Sequence, residues 1–275
     1  MDVHKWFRVK PGSKVKLDRK DPGFTGGYKK KEGEARLAQY VQKLRDLQFL
    51  LYAEGKRSLL ICMQALDTGG KDGTINHVFA PMNPQGTRVH SFKVPSREEA
   101  AHDFLWRIER QAPARGEVVI FNRSHYEDVL AARVHRLVPP KIWSKRYDLI
   151  NAFEKNLVAN GTRILKFFLH ISKDEQLQRF KQRLDDPARR WKISESDYAE
   201  REFWEDYQKA YEDALSYTST KHAPWFIIPA NHKWFRNLAV SRIVVENLES
   251  LKLKVPKPTV DIEEIRRKYH AAEKE

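Results

Sequence analysis

The sequence predicts an α/β fold in which helices alternate with the strands of a five-stranded, mostly parallel sheet. Five short apolar runs have strand length, the segments between them show helical periodicity, and a glycine-rich turn directly follows the first run. The chain has 275 residues, 41% of them hydrophobic, so it can bury a sizeable core and is not a disordered chain. We see neither a clear linker nor a repeat. We therefore expect one domain over residues 1–275.

The predicted elements begin with a basic, extended N-terminal arm over residues 1–31, which are rich in Lys, Gly and Pro. Apolar residues then recur at helical spacing over 34–54, and Gly55 is the expected end of that helix. The apolar run 58–66 is typical of a buried parallel strand. The later predicted strands cover residues 88–94, 117–121, 163–171 and 225–229. The later predicted helices cover 71–79, 96–109, 125–134, 140–160 and 232–251, with a helical region over 173–216. A tail over 252–275 contains a short helix near 261–272.

Local signals mark several of these boundaries. Ser96 and Glu99 form a capping box that opens a helix, and Pro140 suits the first turn of another. The charged helices over 173–216 are interrupted at 185–187, where two aspartates precede a proline. We interpret that region as a helical insertion in the α/β domain.

The charge indicates a polyanionic partner. Lys and Arg number 51 against 37 Asp and Glu, a net charge of +14, and residues 1–31 carry half of the surplus. This favours nucleic acid, an anionic membrane or a phosphate-rich ligand, with a basic solvated surface as the alternative. We find no zinc-finger, RGG or RNP1-type motif and no apolar run of ~18 residues, so we expect neither nucleic acid nor a membrane. The single cysteine, Cys62, fits a reducing, cytoplasmic compartment.

The strongest local signal is the turn after the first strand, at residues 64–74. Strand, glycine turn, lysine and helix are the context of a phosphate-binding P-loop, although Ala65 and Asp72 depart from its pattern. The alternative is a glycine-rich turn around a surface lysine. A carboxylate among phosphates needs a bridging cation, so Asp67 is interpreted as a magnesium ligand. The predicted phosphate-binding residues of this turn are Gly69, Gly70, Lys71, Asp72, Gly73 and Thr74.

A second signal follows the third predicted strand, at residues 121–128. Ligands of open α/β sheets bind at the carboxyl ends of strands, so this segment should lie beside the glycine turn. It offers one cation, Arg123, and two carboxylates, Glu127 and Asp128. The alternative is a helix start with acidic residues in its first turn.

A third signal is the density of cations over residues 173–192, which contain seven Lys and Arg. Arg179 and Arg183 are four residues apart and share a helix face. Inserted helices that carry arginines deliver charge to a transferring phosphoryl group in kinase lids. The alternative is a solvent-exposed helix whose cations pair with nearby Asp and Glu side chains.

These segments together resemble the polyphosphate kinase 2 family over residues 24–251. The matching motifs are residues 67–73, 122–126, 179–192 and 223–231. The resemblance implies a P-loop kinase-like three-layer α/β/α sandwich with a helical lid. It also implies reversible transfer of the terminal phosphate of inorganic polyphosphate to ADP, giving ATP, and to AMP, giving ADP. Mg²⁺ is the implied cofactor, with Mn²⁺ as a substitute, and the implied assembly is a homodimer or homotetramer.

The resemblance also implies roles for individual residues. Many members carry Asp where this chain has Asn122, so Glu127 or Asp128 is expected to take over part of the metal role. The motif at residues 122–128 resembles the form found in the class III subgroup, which accepts AMP and ADP. The implied catalytic residues are Asp67, Lys71, Arg123, Glu127, Asp128 and Arg183. The implied metal ligands are Asp67, Glu127 and Asp128, and the implied nucleotide-binding residues are Asn122, Tyr126 and Asp128. The implied phosphate-binding residues outside the turn are Lys29, Lys30, Arg123, Arg133, Arg179, Arg183, Arg189, Arg190 and Lys192.

Two rival functions stay open at this point. An ATP-dependent nucleoside or nucleotide kinase would share the P-loop and the lid, and a donor-swap assay separates it from a polyphosphate kinase. A nucleic-acid-binding module with a vestigial P-loop would bind tightly and lose affinity with salt, without turnover.

Overall fold

The computed structural model describes residues 2–274, apart from the side chain of Ser196. Five strands form one sheet in the order β2-β3-β1-β4-β5, and all four neighbouring pairs are parallel. The strands are β1 (Ser58–Ala65), β2 (Thr87–Ser91), β3 (Val118–Asn122), β4 (Thr162–His170) and β5 (Trp225–Pro229). The predicted α/β class and five strands are confirmed.

Helices lie between and around the strands. The α-helices are α1 (Val3–Phe7), α2 (Lys30–Glu54), α3 (Lys71–Thr74), α4 (Arg97–Ala101), α5 (Trp106–Glu109), α6 (Ala131–Val134), α7 (Pro140–Ala159), α8 (Lys173–Asp185), α9 (Glu195–Glu202), α10 (Trp204–Thr218), α11 (Lys233–Ser250) and α12 (Ile262–Ala272). Short helical turns of 3₁₀ or π type cover Leu17–Arg19, Ile75–Phe79, Pro84–Gly86, His125–Asp128 and Pro187–Lys192.

The sheet is covered on both faces, which gives three layers. Side chains alternate across a strand, so Leu59, Ile61 and Met63 of β1 enter one apolar cluster while Leu60 and Cys62 enter another. Helices α2 and α11 pack together on the first face, and α5 and α7 contribute to the second cluster. Burial of every residue in β1 explains its continuous apolar run.

Helix ends follow their local sequence. Gly55 ends α2 with a φ of +59°, a left-handed conformation that glycine tolerates, and the capping box of Ser96 and Glu99 opens α4. The helix predicted over 96–109 is broken, however, because Asp103 bonds the backbone N–H of Leu105 and competes with the helical pattern.

The predicted extended arm is wrong, because residues 3–17 pack on the body of the protein. Val3, Phe7 and Leu17 are buried. The N–H of Val9 donates to the carbonyl oxygen of Trp225 (2.9 Å), which covers the outer side of the edge strand β5. Val3 and Phe7 have helical spacing, but α1 has only 5 residues, so the basic composition around them dominated the prediction.

The two charged regions of the second half have different surroundings. Helix α8 ends at Asp185, and the expected interruption is confirmed by the 3₁₀ turn that Pro187 begins. The tail over 254–274 is exposed throughout and carries α12 near the predicted position. Within residues 2–274, no helix combines the length and the apolar character that crossing a membrane requires.

Candidate active site

A cleft of about 1740 Å³ opens at the carboxyl ends of the strands, beneath the charged helices α8 and α9. Ten lysine and arginine side chains line it against five carboxylates, an excess that suits a polyanionic ligand. The lining cations are Lys30, Lys71, Lys93, Arg123, Arg179, Arg183, Arg189, Lys192, Lys233 and Arg236.

The glycine turn after β1 forms the floor of this cleft. Gly70 has a φ of +102°, and a Cβ on Gly69 would lie 2.5 Å from the Cβ of Ala65, so both positions require glycine. Nζ of Lys71 donates to the carbonyl oxygen of Ala65 at 2.9 Å. Burial lowers the pKa of Lys71, and the nearby carboxylate of Asp67 opposes this. A phosphate beside Lys71 would add the negative charge that stabilises the ammonium form.

Arg123 extends from the end of β3 towards the glycine turn. Its Nη2 lies 3.3 Å from Oδ1 of Asp67. The backbone of Arg123 has a φ of +62°, a conformation that costs a non-glycine residue about 1–3 kcal/mol. Burial raises the pKa of Glu127, while Arg123 and Lys71 oppose the rise. The two strand ends therefore bring two cations and two carboxylates together, as the sequence predicted for these four residues.

Asn122 also lines the cleft, and its neighbour explains why an amide is tolerated there. Nδ2 of Asn122 donates to Oδ1 of Asp72 at 2.8 Å. An aspartate at position 122 would place two carboxylates against each other, which repel unless a cation lies between them. The neutral amide thus holds Asp72 in place without a cation.

The charged helices hold their cations in different ways. Arg179 is buried, and its Nη1 donates to the carbonyl oxygen of Thr68 at 2.8 Å, so it ties α8 to the glycine turn. Arg183 lies 3.4 Å from Asp197 and faces the cleft, as do Arg189 and Lys192. These three side chains are placed to contact a ligand, whereas much of Arg179 is already bonded to the backbone.

A glycine turn with Lys71, a facing Arg123 and a cationic helical lid is the geometry of a phosphoryl-transfer site. The sequence model of the Polyphosphate kinase 2 family matches residues 27–256. The chain belongs to the Polyphosphate kinase 2 family. The predicted resemblance is confirmed, and the protein is a kinase of this family.

Individual relatives agree with the family assignment. The chain is 52% identical over 263 residues to the AMP/ADP-polyphosphate phosphotransferase of Meiothermus ruber, covering 95% of this chain and 98% of the relative. It is 47% identical to the ADP-polyphosphate phosphotransferase of Rhodopseudomonas palustris, covering 93% of each. The crystal structure of Polyphosphate Kinase 2 from Arthrobacter aurescens superposes with a TM-score of 0.92 at 45% identity, covering 96% of this chain and 95% of that one. This likeness confirms the kinase-like α/β/α sandwich.

Three predicted site residues of this Polyphosphate kinase 2 family member do not line the cleft. Glu127 is one of them, although Arg123 and Lys71 lie close enough to oppose the rise of its pKa. Tyr126 is fully buried, and its hydroxyl donates to Oε1 of Glu154 at 2.8 Å. Asp128 is held by Arg146 at 3.1 Å, with Arg107 at 4.0 Å. Tyr126 is therefore corrected from a nucleotide contact to part of the core. Asp128 is corrected from a catalytic residue, metal ligand and nucleotide contact to an ion-paired residue.

Four predicted phosphate contacts are also placed elsewhere. Arg133 bonds Asp213 at 2.7 Å and lines a separate, smaller pocket. Thr74 is buried and donates its hydroxyl hydrogen to the carbonyl oxygen of Gly70. Nε of Arg190 donates to the carbonyl oxygen of Leu184 near the end of α8, at 2.9 Å. Lys29 is the exposed residue before α2 and is not part of the cleft lining, whereas Lys30 is.

The sequence analysis missed a further group of lining residues, which follows β5. Lys233, Arg236 and Asn237 on the first turns of α11 face the cleft, and Lys93 joins them from the end of β2. These residues could have been predicted by the argument used for Arg123, because they too follow the carboxyl ends of parallel strands. The motif at residues 223–231 was noted, but the cations just beyond it were not.

The three predicted metal ligands differ in how well their surroundings suit a metal ion. Among residues 2–274, no group of three or more His, Cys, Asp and Glu side chains is arranged to hold an ion. Mg²⁺ usually takes one or two carboxylates together with substrate phosphates and waters. Asp67 in the cleft, with Glu127 nearby, fits an ion of that kind, and Asp128 does not. Polyphosphate kinases are generally metal-dependent.

Proposed function

We propose that this protein transfers the terminal phosphate of inorganic polyphosphate to nucleotides. The transfer converts ADP to ATP and AMP to ADP, and it is reversible. The observation that carries the proposal is the cleft itself, whose lining contains ten lysine and arginine side chains, five carboxylates and the glycine turn. Polyphosphate carries about one negative charge per phosphate, so a long donor can neutralise this excess along its length.

The transfer needs alignment and charge stabilisation more than covalent chemistry. Lys71 and Arg123 grip the phosphate that is transferred, from the ends of β1 and β3. The attacking oxygen of the nucleotide phosphate is already anionic, so no general base is required. We propose a direct in-line attack without a phospho-enzyme, with Arg183 and Arg189 neutralising charge from the lid.

We propose Mg²⁺ as the metal, with Mn²⁺ able to replace it. Asp67 would hold it, and Glu127 is the second candidate. When bound, the ion supplies positive charge that offsets the charge of the phosphates. Asp67 also orients Arg123, because the two side chains lie 3.3 Å apart.

The acceptor range is part of the same proposal. The relative from Meiothermus ruber is named for both AMP and ADP, and the one from Rhodopseudomonas palustris for ADP. The greater identity is to the former, which favours both acceptors here. We also propose a homodimer or homotetramer, which the mass of the purified protein in solution tests.

A direct assay tests the function. Pure protein, Mg²⁺ and long-chain polyphosphate are incubated with AMP or ADP, and the products are separated by chromatography. ATP from ADP, and ADP followed by ATP from AMP, are expected. Product from one nucleotide alone would narrow the acceptor range. Transfer from ATP to a nucleoside or nucleotide, without any polyphosphate-dependent product, would identify the rival kinase instead.

A further inference from the structure

Arg236 is a buried arginine to which the reaction outlined above gives no individual role. It lies on the first turn of α11 and is 2% exposed. Its Nε and Nη2 both donate to Oδ1 of Asn237, at 3.1 and 2.9 Å. Within residues 2–274, its Nη1 has no acceptor and its guanidinium pairs with no carboxylate. A buried charge without a counter-charge is costly, so Arg236 calls for an anionic partner.

The glycine turn is shaped around this guanidinium. A Cβ on Gly70 would lie 1.8 Å from Nη1 of Arg236, and a Cβ on Gly73 would lie 3.2 Å from its Nη2. Nη1 of Arg179 is 3.5 Å from the same Cβ position of Gly70. Two guanidinium groups therefore approach Gly70, in space that the side chain of any larger residue at position 70 would fill.

The charge around this point is not balanced by the protein. Arg179 pairs with Glu175, with Nε 2.7 Å from Oε1. Burial lowers the pKa of Lys233, and Arg179 and Arg236 lower it further. Burial, and then Arg179, lower the pKa of Arg236 to about 9. Of these three cations, within residues 2–274, only Arg179 forms an ion pair. A phosphate that accepts hydrogen bonds from Arg236 and Lys233 would supply the missing negative charge.

We propose that Arg236 binds a phosphate of the polyphosphate donor and holds it against the glycine turn. This inference rests on the proposed function, because it takes polyphosphate as the donor. Arg236 and Lys233 continue the cations of the lid, since Arg189 is close enough to lower the pKa of Lys233 as well. A chain of phosphates can contact these cations in series, whereas AMP offers a single phosphate group.

Kinetics with a matched control test the proposal. Arg236→Met removes the guanidinium. Arg242→Met removes one from the same helix, where Arg242 pairs with Glu246 at 2.7 Å outside the cleft. We expect Arg236→Met to raise the KM for polyphosphate at least about tenfold, the loss typical of a hydrogen bond to a charged group. The KM for ADP should keep its wild-type value, and Arg242→Met should match the wild type in both.

Thermal unfolding gives a readout that does not depend on activity. Inorganic tripolyphosphate should raise the melting temperature of the wild type and of Arg242→Met, and should raise that of Arg236→Met much less. Without the anion, Arg236→Met should melt at or above the wild-type temperature, because it loses an unpaired buried cation. Should Arg236→Met fail to fold, Arg236→Lys takes its place, and we expect a raised KM for polyphosphate because a point charge replaces the planar guanidinium.

Two results would overturn the proposal. One is a wild-type KM for polyphosphate together with a wild-type response to tripolyphosphate. The other is a rise in the KM for ADP alone, which would assign Arg236 to the nucleotide. A wild-type protein without any polyphosphate-dependent product would instead refute the proposed function, and the tripolyphosphate response would still decide whether Arg236 binds a phosphate chain.

Discussion

Removal of the Arg123 guanidinium should abolish most turnover while the protein stays folded. The ion pair with Asp67 joins side chains that are 44% and 30% exposed, and exposed pairs contribute only about 0.2–1 kcal/mol to stability. The backbone at Arg123 has a φ of +62°, which costs about 1–3 kcal/mol for any residue but glycine. Arg123→Ala should therefore lose little stability, and Arg123→Gly should equal or exceed the wild type.

Activity, unlike stability, should fall sharply in both variants. A guanidinium aimed at the transferring phosphate stabilises charge in the transition state, and the loss of one such donor costs about 10²–10³ in rate. The assay measures initial rates with polyphosphate, Mg²⁺ and ADP alongside the melting temperature of each protein. Wild-type turnover in either variant would refute the catalytic assignment. A loss of activity in Arg123→Ala that Arg123→Gly restores would show that the backbone, not the guanidinium, matters.

Three further predictions concern the core and the glycine turn. Glu154 is fully buried and accepts a hydrogen bond from Nζ of Lys166 at 2.6 Å. Because Glu154→Gln leaves the buried charge of Lys166 without its partner, we expect it to lower the free energy of unfolding in urea by about 3–5 kcal/mol. A variant as stable as the wild type would contradict this. Burial raises the pKa of the Cys62 thiol well above its usual range, so Cys62 should resist thiol reagents in the native protein and react fully in denaturant. Burial lowers the pKa of Lys71, so the ammonium loses its proton at a lower pH than an exposed lysine does. The rate constant kcat/KM for polyphosphate should therefore fall on an alkaline limb that Lys71→Arg shifts to higher pH, and an unchanged limb would exclude Lys71 as its source.

The buried network behind Arg123 shows why one part of the site escaped prediction. The family resemblance implied a nucleotide contact for Tyr126, which is the last residue of the matching motif 122–126. In the structure the 3₁₀ turn His125–Asp128 directs it inwards, where it shares Glu154 with Lys166. Glu154 and Lys166 come from α7 and β4, so their meeting with Tyr126 could not be deduced from local pattern.

The fold and the centre of the site were predictable because both depend on short-range signals. Apolar runs, caps and glycine turns are properties of neighbouring residues, and parallel strands that share an edge bring their ends together. Those rules placed Asp67 and Lys71 beside Arg123. The N-terminal segment escaped them because α1 has only 5 residues, too few for the helical spacing of Val3 and Phe7 to form a recognisable pattern.

The sequence by itself determined the order of the elements, the parallel sheet, the glycine turn and the family. It also predicted that the carboxyl ends of the parallel strands lie at one edge of the sheet, whereas the strand order β2-β3-β1-β4-β5 comes from the structure. Only the tertiary structure decided which polar side chains face the cleft and which are paired in the core. Asn122 bonds Asp72 across 50 residues, and Arg236 reaches Gly70 from a helix after the last strand. Such contacts depend on the packing of elements that are distant in the chain, and no local pattern encodes the direction in which a long side chain points.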